Sequence, residues 1–188
     1  LGSFNMQGGF HRKWALSGAS IAWLAVRDAP GATAERQARI GAWLGAVARA
    51  VQPTYDRPLP RGGPGPADMR LNNHVAWAAL AVGAAGVGAG DPALVRWAVA
   101  KNELFLSLVT PEGAHPQELA RGRMALHYHL FALQAAAAAA RAGAAAGQPL
   151  SPAGQAALDR MARFTFAQTQ DSARIAELAG ARQAHLSA

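Results

Sequence analysis

The chain has 188 residues, 51% of them hydrophobic and 15% charged, which suits one domain long enough to bury a core. With no cysteine, neither a disulfide framework nor a thiolate metal site is possible. Lys and Arg outnumber Asp and Glu by 18 to 11, and the formal charge of +7 predicts an anionic partner: nucleic acid, an anionic membrane face or an acidic glycan.

Much of the apolar share is alanine, which enters helices without side-chain entropy cost, and no run of alternating β-branched residues is present. The expected class is all-α. Leu1 to Asn5 show neither the basic start nor the apolar core of a signal peptide, and the chain starts without methionine, so it reads as a fragment or a processed form. Gln7-Gly8-Gly9 predicts a loop, followed by the basic triplet His11-Arg12-Lys13 and a helix through Trp14, Leu16, Ile21, Trp23 and Leu24. Asp28-Ala29-Pro30-Gly31 stops it. Thr33 is placed to cap a second helix, about Ala34 to Val51, whose Ile40, Trp43, Leu44 and Val47 have helical spacing.

Gln52 to Asp68 is rich in proline and glycine and predicts a long connection rather than a helix, of the kind that walls or lids a site. Asp68 is the candidate cap of the next helix, which carries Asn72, Asn73, His74 and Trp77 and continues to Gly88. Its run from Val75 to Gly90 is apolar but short for a membrane span, and predicts a packed internal helix. Asp91-Pro92 is a cap with proline at the first helical position, opening a helix to about Val109. Thr110 to Gly113 is a turn, Pro116 to about Ala142 a helical stretch, and Pro152 to Thr169 an amphipathic helix; the tail after Asp171 is polar and weakly periodic. Helical hairpins of this kind pack as a bundle, a solenoid or an α/α toroid, and periodicity leaves all three open.

Two stretches hold nearly all the neutral polar, imidazole and phenol chemistry: Leu71 to Trp77, and Pro116 to His129. Arg121 and Tyr128 are seven residues apart, which on one continuous helix puts them on the same face, roughly ten ångström apart along the axis. A cation beside a phenol favours the phenolate; the plain alternative is a surface arginine and a snorkelling tyrosine. Asn73 and His74 place an amide donor beside an imidazole, costly to bury unpaired, though a helix-start asparagine and a satisfied histidine would look the same. His115, His127 and His129 raise a zinc site, but His127 and His129 face different sides of a helix and no carboxylate has metalloprotease spacing. No nucleophile elbow, phosphate-binding glycine loop or nucleic-acid module is present.

Asn72-Asn73-His74 followed by Trp77 resembles the N-N-H-x-x-W signature of the alginate lyases of polysaccharide lyase family 5, the mannuronate-cleaving group. Pro116-Gln117-Glu118-Leu119-Ala120-Arg121 and Ala125-Leu126-His127-Tyr128-His129 are similar to that family's P-x-E-L-x-R and A-L-x-Y-H segments. Phe4 to Gln7 and Arg12 to Leu16 resemble its upstream subsite helix, so the likeness covers most of residues 2–140. Ala76 departs from it, standing where an aromatic often precedes the motif tryptophan.

The resemblance implies an incomplete α/α toroid and cofactor-free, metal-independent β-elimination on poly-β-D-mannuronate. It implies that Asn73 and His74 bind the C5 carboxylate, that Arg121 helps neutralise it, and that Tyr128 takes the C5 proton and returns one to the leaving O4. Gln7, Lys13, Trp14 and Trp77 would line sugar subsites, with Trp14 stacked on a ring and Lys13 meeting a neighbouring carboxylate. Family members are longer, so the resemblance also implies one domain over 1–188 that lacks an N-terminal portion supplying a lid loop. The expected partner is an acidic polysaccharide, with no nucleic acid and no membrane, and the expected state a periplasmic or secreted monomer. The alternatives are a glycan-binding remnant without catalysis and a lyase for another polyuronate such as polyglucuronate.

Overall fold

The computed structural model describes residues 6–59, 61, 63, 65–66 and 68–184, the side chains of Met6 and Gln7 excepted. Among them are helices and connections and no strand, as the alanine-rich composition predicts. The long helices are α1 (Met6–Val26), α2 (Ala34–Tyr55), α3 (Asn73–Ala89), α4 (Pro92–Leu106), α6 (Ala125–Ala145) and α7 (Pro152–Gln170). The short α5 (Pro116–Leu119) and a 3-10 turn (Gly122–Met124) precede α6, and α8 (Ala173–Leu178) follows α7. No described helix is long and apolar enough to cross a membrane.

The centre is α3. Nearly every side chain from Asn73 to Gly86 is buried, because α1, α2, α4 and α6 all pack on it. Alanine and glycine at most of those positions let four helices approach one axis, and the larger Leu16, Leu44, Phe105, Leu106 and Met161 fill the spaces between. Two of the expected caps hold: Thr33 accepts from Arg36 N–H, and Asp91 from Ala93 and Leu94 N–H with Pro92 behind it. Gly90, in the left-handed conformation at φ 64°, closes α3.

Three expected boundaries move. α1 begins at Met6 and runs through Gly8-Gly9, so no loop interrupts there. α2 continues through Pro53 to Tyr55. There Lys101 donates to Tyr55 C=O at 2.8 Å and pairs with Asp56, and Trp97 Nε1 donates to Asp56 Oδ1, so α4 holds the end of α2 in place. α4 itself stops at Leu106.

The turn after α4 is tight against α7. Gly113 has φ 105°, and a Cβ there would meet the Arg160 carbonyl oxygen and come 2.7 Å from Phe164 Cβ. Gly113→Ala therefore combines backbone strain with a clash against main chain. It should cost at least about 3 kcal/mol, read as a fall in melting temperature on the order of 10 °C.

Candidate functional site

The site lies where α3 begins. Asn72, in extended backbone, caps the helix by accepting from His74 N–H at 2.9 Å. Asp68 does not cap it: its carboxylate takes Arg70 N–H and the Arg70 guanidinium, because the chain turns through 68–72 before the helix can start. Gln117 Oε1 accepts from Asp68 N–H at 2.7 Å and ties this connection to α5.

Asn73, the first residue of α3, is fully buried and donates both its backbone N–H and its amide to the buried Glu118 of α5, the amide at 3.2 and 3.3 Å from the two carboxylate oxygens. Burial pushes the Glu118 carboxyl up to about 7, while those hydrogen bonds and Arg121 pull it down.

His74 Nδ1 is 2.9 Å from Lys13 Nζ. An ammonium can only donate, so Nδ1 accepts and the ring proton sits on Nε2, where it is a donor for a ligand. Burial lowers the His74 pKa to about 3, and the charges of Lys13 and Arg121 act in the same direction. Lys13 is 0% exposed. It was expected to meet a sugar carboxylate; instead it lies beneath His74, its ammonium 4.6 Å from the ring centroid of Phe10, 4.7 Å from Trp14 and 6.0 Å from Tyr55. Its burial lowers its pKa to about 7.

Arg121 and Tyr128 meet, but not as two turns of one helix. The chain breaks between α5 and α6, with Gly122 at φ 57° and a 3-10 turn to Met124. Arg121 thus precedes α6 and folds back over it, its guanidinium carbon 3.9 Å from the Tyr128 ring centroid rather than a further 10 Å along an axis. Gln183 holds the break from the far side, accepting from Leu126 N–H and donating to Gly122 C=O. Arg121 also bears electrostatically on His74 and Glu118. Asn73, His74, Arg121 and Tyr128 therefore gather at one place, drawn from α3, the turn after α5, and α6.

An aromatic wall flanks them. Trp14 stacks toward His74 at 6.2 Å, and both Trp14 and Trp77 pack on Phe131, at 6.2 and 4.9 Å. Both indole N–H groups are buried without an acceptor among the described residues, so a sugar hydroxyl reaches them only after a side chain moves. Gln7 has its backbone in α1, and its side chain lies outside the described residues. Phe10, Tyr55 and Phe131 are members that reading the sequence missed, and Glu118, though part of the matched P-x-E-L-x-R segment, was given no role there. Two had a signal: Glu118 stands three residues before Arg121 and Phe131 three after Tyr128, one helical turn in each case.

The other histidines divide as the two-residue spacing predicts. His127 is exposed, and His129 is buried, with Nδ1 donating to Ala125 C=O and Nε2 accepting from His115 N–H at 2.9 Å. His115 stacks on Phe105 at 4.2 Å. Burial lowers both pKa values, to about 4 and about 3, so this pair is neutral packing beneath the site. Among the described residues no three His, Asp or Glu side chains are grouped to hold a metal ion.

The sequence profile of the alginate lyase family matches residues 5–175. The chain belongs to the alginate lyase family. A polysaccharide lyase from Stenotrophomonas maltophilia (strain K279a) is 33% identical over 184 residues, covering 98% of this chain and 52% of its own length. An alginate lyase from Pseudomonas syringae pv. syringae (strain B728a) is 33% identical over 184 residues, covering 96% and 47%. Among solved structures, alginate lyase A1-III from Sphingomonas species A1 superposes with a TM-score of 0.77 at 21% identity over 95% of this chain and 49% of its own. A tyrosine-to-phenylalanine variant of alginate lyase A1-III complexed with a tetrasaccharide gives 0.80 at 20% identity, over 97% and 51%. This alginate lyase family chain thus has the expected α/α toroid fold and spans about half the length of the relatives it matches.

Proposed function

We propose that the chain carries the catalytic half-site of a polysaccharide lyase that cleaves alginate by β-elimination, with mannuronate blocks as the preferred substrate. The observation that carries this reading is Arg121 lying over the Tyr128 ring while its charge also bears on His74. Elimination needs that combination: donors that neutralise a carboxylate, next to a group that moves a proton. A C5–H bond beside a carboxylate anion is a poor acid, and it becomes a better one when donors take up the charge that develops on the carboxylate. The Asn73 amide, the His74 Nε2–H and the Arg121 guanidinium supply them. Tyr128, as phenolate, takes the C5 proton; the C4–C5 double bond forms as the C4–O4 bond breaks, and Tyr128 returns the proton to O4. The cationic excess draws the polyanion in. For a polymeric substrate of this kind, the periplasm or the exterior is the proposed place of action, with the chain acting as a monomer.

The test is ultraviolet absorbance during incubation with polymannuronate, polyguluronate and polyglucuronate in parallel, with and without EDTA. Elimination creates a conjugated uronate that absorbs. The expected result is a rise fastest on polymannuronate and unchanged by EDTA. A rise only on another polymer would reassign the substrate, and one abolished by EDTA would contradict metal-independent chemistry.

A further inference from the structure

Among the described residues Glu118 is the carboxylate bound to one of the four gathered site residues, Asn73, and the mechanism above gives it no step. It is fully buried, it comes from the four-residue α5, and it receives two donors from one residue of another helix, the backbone N–H and the amide of Asn73. A polyanion-binding site gains nothing from a negative charge of its own, and burying one is costly unless its partners hold it. We propose that Glu118 is a positioning residue: its ionised carboxylate pins the nitrogen of the Asn73 amide and so fixes the remaining amide N–H toward the uronate carboxylate. This rests on the lyase reading.

Asn73 Nδ2 carries two N–H groups, and Glu118 occupies one. An ionised carboxylate only accepts, so it holds the amide nitrogen and the backbone N–H together and leaves the second N–H to the site. A protonated Glu118 carries an O–H that must donate, and the Asn73 amide can meet it only by turning its oxygen toward Glu118; its orientation toward the substrate is then lost. The backbone bond matters as well, because it locks the first turn of α3, on which His74 sits.

The groups around Glu118 set its charge. Arg121, from the turn after α5, favours the ionised form, as do the Asn73 donors, and burial opposes them to bring the carboxyl to about 7. On α3 the next titratable group is His74, held neutral by burial. Behind it on α1 is Lys13, itself near 7. Tyr128 on α6 lies under Arg121. Two groups therefore titrate near neutrality, and a variant must separate them.

Glu118→Gln does so. Its amide oxygen still accepts the backbone N–H, while its amide nitrogen opposes that of Asn73 and turns it over. Wild-type kcat on polymannuronate is expected to fall below about pH 7, approaching tenfold per pH unit. Glu118→Gln is expected to have kcat lowered about 100-fold at pH 8, KM within a few-fold of wild type, and no acid limb between pH 5.5 and 8. Its thermal melt and helical circular dichroism should match or exceed wild type, since a neutral isostere removes a buried charge. An acid limb that persists unchanged in Glu118→Gln belongs to another group and overturns the proposal, as does a wild-type kcat in the variant. Wild type inactive on every polyuronate would instead remove the lyase reading on which the proposal stands. A variant that melts earlier than wild type, with KM and kcat failing together, would make Glu118 a structural residue and also overturn it.

Discussion

Tyr128→Phe is expected to abolish product formation, with turnover on polymannuronate reduced at least about 10³-fold, while polymer binding survives. The substitution deletes one oxygen and keeps the ring. Arg121 is held over that ring, 3.9 Å from its centroid, so it retains its seat and with it the charge that bears on His74 and Glu118. The three carboxylate donors remain, and only the group that moves the proton is gone. Turnover under saturating polymer, with affinity measured separately by calorimetry or fluorescence, separates the two effects. Residual turnover within tenfold of wild type would take the acid/base role from Tyr128. Loss of binding in parallel with turnover would make it a binding residue.

The second large effect concerns Lys13, where function and stability should move in opposite directions. The ammonium is fully buried, and burial lowers its pKa from the ordinary 10.5 to about 7. A base whose pKa falls on folding opposes folding most where both states carry the proton, because the folded chain holds it at a cost. The penalty is complete below about pH 7 and fades as pH rises through the window from 7 to 10.5, where the unfolded state binds more protons. Lys13→Met keeps a linear side chain among Phe10, Trp14 and Tyr55 and removes the charge. It is expected to raise stability at pH 6, by up to a few kcal/mol, and to flatten the rise of stability with pH above 7. It also removes the donor to His74 Nδ1. The imidazole then has no partner to fix its tautomer, and kcat/KM should fall about 100-fold. Denaturant unfolding at several pH values and steady-state kinetics on the same variant check both halves. A variant less stable at pH 6, or one with kcat/KM within a few-fold of wild type, would contradict this account of why a lysine is buried there.

The helix pattern and its caps were legible because they are local: Thr33, Asp91-Pro92 and the spacing of Ile40, Leu44 and Val47 act within a turn or two. The four residues gathered at the candidate site stood out as chemistry, since amides, imidazoles and phenols are scarce in so alanine-rich a chain. Their geometry did not. Gly122 is a weak signal for the break in a stretch from Pro116 to Ala142 whose other residues mostly favour helix, and the break is held partly by Gln183, some sixty residues on. Lys13 was expected, from the resemblance, to meet a sugar carboxylate; the packing of α1 and α2 around α3, which no local pattern shows, buries it instead. Glu118 was passed over for a related reason, since its partner Asn73 is on another helix. Pro53 inside α2 shows the converse, a strong local signal overridden by the tie to α4 through Lys101 and Trp97.

Elimination, the proposed reaction, breaks the bond without water. The most direct measurement is mass spectrometry of the oligosaccharides released from polymannuronate in heavy-oxygen water. The expected products have an unsaturated non-reducing end, are lighter than hydrolysis products by one water, and carry no heavy oxygen at the cleaved bond. Saturated products carrying one heavy oxygen per cleavage, or no cleavage by folded protein, would contradict it.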